Sequence, residues 1–191
     1  MIQKHSLNSV RHIAKIRAPR ELKSKIMLAP FEHHLKYDLS GYPRSWRNEP
    51  VSLFGRILTI VDVFDAITSA RVYRSKAISP DQALRRMSES AGKDFDPILL
   101  KAFINMLGVY PVGTLVELNT GEIGLVSENP EQSDGTHPLV TTLIPKDGQG
   151  YTRGETVDLS ECETSGDSYK RSILKTFNPA LFGIQPSEFI I

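Results

Sequence analysis

Four of the five histidines in this 191-residue chain lie within its first 34 residues. His33 and His34 are adjacent, and the run His-His-Leu-Lys-Tyr-Asp-Leu-Ser-Gly-Tyr-Pro places Asp38 four residues past His34. Imidazole nitrogen is a common ligand for transition metals, and it also serves as a proton carrier near neutral pH. Two neighbouring imidazoles can reach one ion where a helix stops, because neither must then stay on the 3.6-residue face. The same pair also reads as one exposed histidine beside one hydrogen-bonded core histidine.

A second cluster lies between Val51 and Ser69. Phe54, Ile57, Leu58, Val61, Phe64 and Ile67 form a broad apolar face at helical spacing. A narrower stripe of small or polar residues, Gly55, Thr59, Asp62, Ala66 and Ser69, runs beside it. Asp62 sits between two valines, and a buried carboxylate is costly unless it is paired or ligates a metal. An ion pair with Arg56 is the competing assignment. Just past this segment, Arg71 and Arg74 flank Tyr73, a spacing that suits phosphate recognition.

Several elements must position these groups. Residues 1–36 carry apolar positions at helical spacing, and Pro19 divides them into two helices. Residues 37–50 are turn-rich, and a helix spans about 51–69. Ser79-Pro80-Asp81-Gln82 predicts a helix start with Ser79 as N-cap and Gln82 closing a capping box, ending near Gly92. Asp96-Pro97 repeats the start signal, and Gly108 supplies the stop. Beyond Pro111 the texture changes to alternating apolar residues. Residues 113–127 read as a hairpin turning at Gly121, with further strands at 138–144 and 156–159. The tail from Ser172 to Ile191 is expected to dock back. The fold class predicted is mainly α, a helical bundle followed by a small antiparallel β subdomain (α+β overall). Its domains are residues 1–110 and a β-rich appendage at 111–191.

Composition narrows the field. Forty per cent hydrophobic and 24% charged residues describe an ordinary globular chain rather than a disordered or fibrous one. No apolar run approaches the ~18 residues of a membrane helix, so no membrane partner is expected. The chain opens on polar residues and has no secretory signal pattern. A single cysteine, Cys162, excludes an internal disulfide and suits a cytoplasmic location. The net charge of +1 hides a split: residues 1–76 hold 14 basic and 6 acidic side chains, residues 77–191 hold 9 and 16. An anionic ligand is therefore expected at the front of the chain. Nucleic acid is not an expected partner. Cys162, between two glutamates, and His137, beside Pro138, carry no chemistry of their own.

Taken together, His33–Pro43 and Arg56–Arg74 resemble the HD-GYP domains of bacteria, metal-dependent phosphohydrolases that hydrolyse cyclic di-GMP. The resemblance covers about residues 3–125 and extends through Phe95-Asp-Pro and Tyr110-Pro-Val-Gly-Thr. It implies an HD-type helical bundle and a site in which His33 and His34 are adjacent metal ligands and Asp62 closes the site. Lys4-His5-Ser6 is similar to a weaker His-Pro motif, which makes His5 a fourth ligand with Ser6 in place of proline. Tyr42 and Pro43 match the loop that shapes the substrate pocket, and Arg71 and Arg74 its phosphate-side cations. Asp38, Gly41 and Asp65 are implied to be structural or loop residues, and His12 matches nothing. The implied cofactor is a divalent metal, iron, manganese or similar. The implied partners are cyclic di-GMP or a related cyclic dinucleotide, and diguanylate cyclase (GGDEF) domains.

The departures are specific. No histidine is followed by aspartate anywhere in the chain, so the family's namesake His-Asp pair is not in it. Leu35 stands where the pattern has Glu, and Leu39 where it has Gly. Leucine is expected to stiffen the loop by excluding the positive φ open to glycine. Four ligands suffice for about one ion, whereas a two-metal clamp needs more. Three readings follow. The chain is the C-terminal part of a cyclic di-GMP phosphodiesterase, cut short and impaired alone. It is a non-catalytic module that binds cyclic di-GMP or docks a diguanylate cyclase. Or it is an HD phosphohydrolase for another nucleotide.

Overall fold

The computed structural model describes residues 4–44, 49–69, 77–130, 135–146, 150–163 and 168–190. Five α-helices come first: α1 (His5–Lys15), α2 (Arg20–Glu32), α3 (Leu53–Thr68), α4 (Pro80–Glu89) and α5 (Pro97–Leu107). Five strands follow: β1 (Leu115–Leu118), β2 (Ile123–Glu128), β3 (Leu139–Pro145), β4 (Tyr151–Asp158) and β5 (Ile173–Phe177). The chain is thus helical first and antiparallel β second. By chain contacts it forms two compact units, residues 1–66 with 86–102, and residues 67–85 with 103–191.

In the first unit the helix ends follow local chemistry. Pro19 precedes α2 and separates it from α1. Asp96 caps α5, its Oδ1 accepting from the N–H groups of Ile98 (2.9 Å) and Leu99 (3.1 Å). Its Oδ2 meets Arg56 of α3 at 2.5 Å. Arg56 therefore pairs with Asp96, which removes it as the partner envisaged for Asp62. Leu35, Val51, Ile60, Met87, Phe95 and Leu100 are buried in this unit.

Helix α3 buries a different face from the one its apolar spacing suggests. Gly55, Thr59 and Ile60 are its buried residues. Phe54, Ile57 and Val61 are exposed, Phe54 at 66%. The small stripe is the packing face because only small side chains permit close approach to the end of α2. A Cβ on Gly55 would lie 2.6 Å from Glu32 Oε2 and 2.9 Å from Glu32 Cβ, well inside ordinary contact.

The second unit is a meander with β5 added at one edge, in the order β4-β3-β2-β1-β5, every pairing antiparallel. Gly121, at φ +84°, supplies the turn between β1 and β2. Val116, Leu118, Val126, Val140 and Leu159 form one apolar cluster. Leu115, Leu125, Leu143 and Ile184 form a second, as alternation along the strands requires. Two elements differ from the sequence reading: β4 begins five residues before the expected 156, and the tail contributes a true strand, β5. The Ser79 hydroxyl lies 3.1 Å from Thr176 Oγ1 on β5.

Candidate metal centre

Helix α2 ends at Glu32, and the chain turns tightly there, with Leu35 N–H bonding to Glu32 O at 2.6 Å. The turn frees His33 and His34 from the helical face. His5, in the first turn of α1, completes a cluster. His5 Nε2 lies 3.0 Å from His33 Nε2 and 2.9 Å from His34 Nε2. The ligand atoms of the three histidines lie within 4.8 Å of one another.

The proton arrangement favours a cation. His33 Nδ1 donates to Pro30 O at 2.9 Å, which leaves Nε2 as a bare lone pair. His5 Nε2 can carry one hydrogen, and one N–H cannot serve both of its close neighbours. A shared ion satisfies all three nitrogens at once. His5, His33 and His34 would hold such an ion, which would supply the positive charge that three converging imidazole nitrogens call for. His34 holds its proton less tightly than an ordinary imidazole, through burial first and then the neighbouring charges of His33 and His5. Its nitrogen is thus free for a metal at neutral pH.

His33 and His34 are held through their backbones. Thr59 Oγ1 lies 3.0 Å from His33 O and 2.8 Å from Gly55 O. Tyr42 N–H bonds to His34 O at 3.2 Å. Gly41, at φ +99°, packs so closely on that carbonyl that any Cβ would clash with it. The loop 35–41 is pinned by Tyr37 N–H to Asp94 O (3.1 Å), Asp38 N–H to Lys93 O (3.0 Å) and the Lys36–Asp94 ion pair. Asp38 turns the loop by accepting from the Ser40 hydroxyl and N–H, and those bonds hold its carboxyl below the usual carboxylate range. Leu39 adopts φ +67°. The expectation that leucine excludes this conformation is therefore corrected: the loop imposes the left-handed region, at a strain cost of about 1–2 kcal/mol.

Asp62 is half-buried on α3. It lies outside the three-histidine cluster, yet its charge reaches both His34 and Tyr42. The Tyr42 ring sits 4.5 Å from that of His34, tilted by 31°. Burial, then Asp62, raises the Tyr42 phenol, so its hydroxyl stays a donor. Tyr42 and Pro43 line a cavity of about 610 Å³ together with Lys4, Leu7, Gly41 and Arg44. Asp65 and His12 are exposed. Arg71 and Arg74 lie outside the described residues.

Sequence reasoning missed Glu32. It is fully buried, accepts from Ser52 N–H (2.9 Å) and the Ser52 hydroxyl (2.5 Å), and so ties the start of α3 to the end of α2. One signal was available: an acid in the last turn of a helix opposes the macrodipole, so it needs a partner elsewhere. Lys4 and Arg44 were also missed, and only the folded loop brings them to one cavity.

Residues 1–99 match the family model described as HD domain. A cyclic di-GMP phosphodiesterase of Pseudomonas aeruginosa is 38% identical over 133 residues, 70% of this chain and 31% of that protein. A cyclic di-GMP phosphodiesterase response regulator of Xanthomonas campestris is 40% identical over 77 residues, 40% of this chain and 20% of that protein. A 3'3'-cGAMP-specific phosphodiesterase of Vibrio cholerae is 39% identical over 79 residues, 41% of this chain and 17% of that protein. The chain spans about a third or less of the length of these relatives. No helix among the described residues is long and apolar enough to cross a membrane. Because the family match takes in both the paired histidines and the loop that sets their spacing, the chain belongs to the HD domain family and carries an HD-GYP-like domain.

Proposed function

We propose that the chain provides the metal-holding and substrate-facing part of a cyclic di-GMP phosphodiesterase site, hydrolysing the dinucleotide to pGpG and GMP. The observation that carries this reading is the convergence of three Nε2 atoms beside the Tyr42–Pro43 cavity. The proposed ligands are His5, His33 and His34, with Asp62 the nearby carboxylate. Imidazole donors suit iron or manganese, and a single ion is the proposed load. A bound divalent ion supplies hydroxide at neutral pH and positive charge for phosphoryl oxygens. The protein's own groups do the rest. Tyr42 offers a ring to a base and a hydroxyl donor to a phosphate or sugar. Lys4 and Arg44 offset phosphate charge, and we assign Arg71 and Arg74 the same task. Asp38, Gly41 and Asp65 are proposed structural residues. The proposed domain boundary lies near residue 110, and the lone Cys162 supports a cytoplasmic setting.

One observation favours a second reading. Among the described residues the clustered ligands number three, and the sequence holds no His-Asp pair. Such a centre suits binding of cyclic di-GMP, or docking of a diguanylate cyclase domain, without hydrolysis. A related nucleotide as substrate is the third possibility. The test is elemental analysis of the purified chain followed by incubation with cyclic di-GMP and Mn²⁺ or Fe²⁺. Release of pGpG or GMP that His34→Ala abolishes supports the phosphodiesterase. Tight nucleotide binding with no product supports the second reading. Protein that takes up neither metal nor nucleotide defeats the phosphodiesterase and nucleotide-binding readings and leaves domain docking alone.

A further inference from the structure

Helix α3 carries no acid in its own first turn. Ser52 stands just before it, and its Oγ accepts from Gly55 N–H at 3.1 Å, the bond of an N-cap. In the usual capping box the third helical residue is Glu or Gln and accepts from the N–H of the cap. Here that residue is Gly55, which has no side chain, and Glu32 at the end of α2 takes its part. Glu32 Oε2 accepts from both Ser52 N–H (2.9 Å) and the Ser52 hydroxyl (2.5 Å). A Cβ on Gly55 would fall 2.6 Å from that oxygen, so glycine makes room for it. The carboxylate also lies at the positive end of the α3 macrodipole.

The bonds continue along α3. The Gly55 carbonyl accepts from the Thr59 hydroxyl at 2.8 Å, and the same hydroxyl lies 3.0 Å from His33 O, so one hydrogen is shared between two carbonyls. A circuit therefore runs from Glu32 through Ser52, Gly55 and Thr59 to His33, leaving the chain at one residue and returning to it at the next. Glu32 O meanwhile accepts from Leu35 N–H at 2.6 Å, in the turn that takes His33 and His34 off the helical face. Glu32 and Thr59 are both buried, so water does not stand in for a lost bond. A plain brace between α2 and α3 would end at Ser52, whereas this one ends on the carbonyl of a candidate ligand.

We propose that Glu32 is a positioning residue of the metal centre, fixing His33 through Ser52 and Thr59. The assignment rests on reading His5, His33 and His34 as metal ligands. The test titrates the full chain with Co²⁺, whose visible absorption reports the geometry of its ligands, at a temperature where circular dichroism shows each variant folded. Glu32→Ala should weaken cobalt about tenfold or more and shift its spectrum. Glu32→Gln keeps an oxygen where Oε2 stands and should restore both spectrum and affinity, to within about threefold of the parent. Losses along one circuit do not multiply, so Glu32→Ala with Thr59→Val should bind cobalt within about threefold of the weaker single variant. Where Glu32→Ala fails to fold, Ser52→Ala removes the hydroxyl, keeps the N–H, and should weaken cobalt about threefold or more. A Glu32 that merely braced two helices would lower the melting temperature and leave the cobalt affinity and spectrum of the folded protein unchanged. That result, losses that multiply in the double variant, or Glu32→Gln as weak as Glu32→Ala overturns the assignment while the metal reading stands. Parent chain that binds no cobalt overturns the metal reading and this assignment with it.

Discussion

Replacing Gly41 with alanine tests whether the loop positions the metal ligands. Gly41 has φ +99°, and its Cα packs against the His34 carbonyl that also accepts from Tyr42 N–H. Alanine there carries two costs. The left-handed conformation costs about 1–2 kcal/mol for an L-residue, partly offset by about 0.4–1 kcal/mol of lost unfolded-state freedom. The clash forces the carbonyl away, at about 1–3 kcal/mol for overpacking, and breaks a hydrogen bond worth about 1 kcal/mol. Gly92 provides the control, because its φ is +82° and nothing lies within 4 Å of an added Cβ. Gly92→Ala should cost about 1 kcal/mol, and Gly41→Ala about 2–4 kcal/mol more. Urea melts of the two variants measure the difference. Elemental analysis after dialysis should show metal affinity falling about 10–100-fold in Gly41→Ala, as loss of ligand orientation does elsewhere. Equal melting costs for the two variants, or full metal loading of Gly41→Ala, would refute the argument.

Three further outcomes follow from named contacts. Thr59→Val removes the hydroxyl that bridges His33 O and Gly55 O, and should cost about 1 kcal/mol and lower metal affinity, with Thr59→Ser restoring both in calorimetry and metal titration. Burial pushes the Asp96 carboxyl up, but Leu99 N–H, Arg56 and Ile98 N–H together hold it below its ordinary value. Its stabilising contribution is therefore whole above ~3.9, the unfolded carboxylate pKa, and is lost as pH falls through the lower folded value. Asp96→Asn should flatten that part of an acid melt. Lys4→Ala with Arg44→Ala should weaken cyclic di-GMP binding and its salt dependence while leaving metal content unchanged, measured by filtration binding and elemental analysis.

Helix limits were readable where one residue dictates backbone geometry. Pro19, Asp96-Pro97, Gly108 and Gly121 act within a turn of themselves, so their signals survive any tertiary context. The paired histidines were legible as candidate ligands because of residue type and spacing. Longer-range features were not. Apolar periodicity gave the wrong buried face for α3, because the tight approach of α2 favours Gly55 and Thr59 over Phe54 and Ile57. Strand β5 owes its existence to pairing with β1, about sixty residues earlier along the chain, and its Ile-Leu-Lys-Thr-Phe pattern carries no clean alternation. Leu39 shows the same override: hydrogen bonds from residues 36–40 fix a conformation that leucine alone disfavours.

The three histidines come from the first turn of α1 and the turn that ends α2, and His5 and His33 are 28 positions apart. An ion held between them would act as a removable cross-link across the α1–α2 hairpin, in the way a disulfide closes a loop. At a free concentration a hundredfold above its dissociation constant it would add about 2.7 kcal/mol to folding. The gain falls on the joint around Pro19, where Lys15, Arg17 and Arg20 are exposed. Cellular metal supply would then set how often trypsin-like proteases can cut between the two helices, making protein lifetime a readout of metal status.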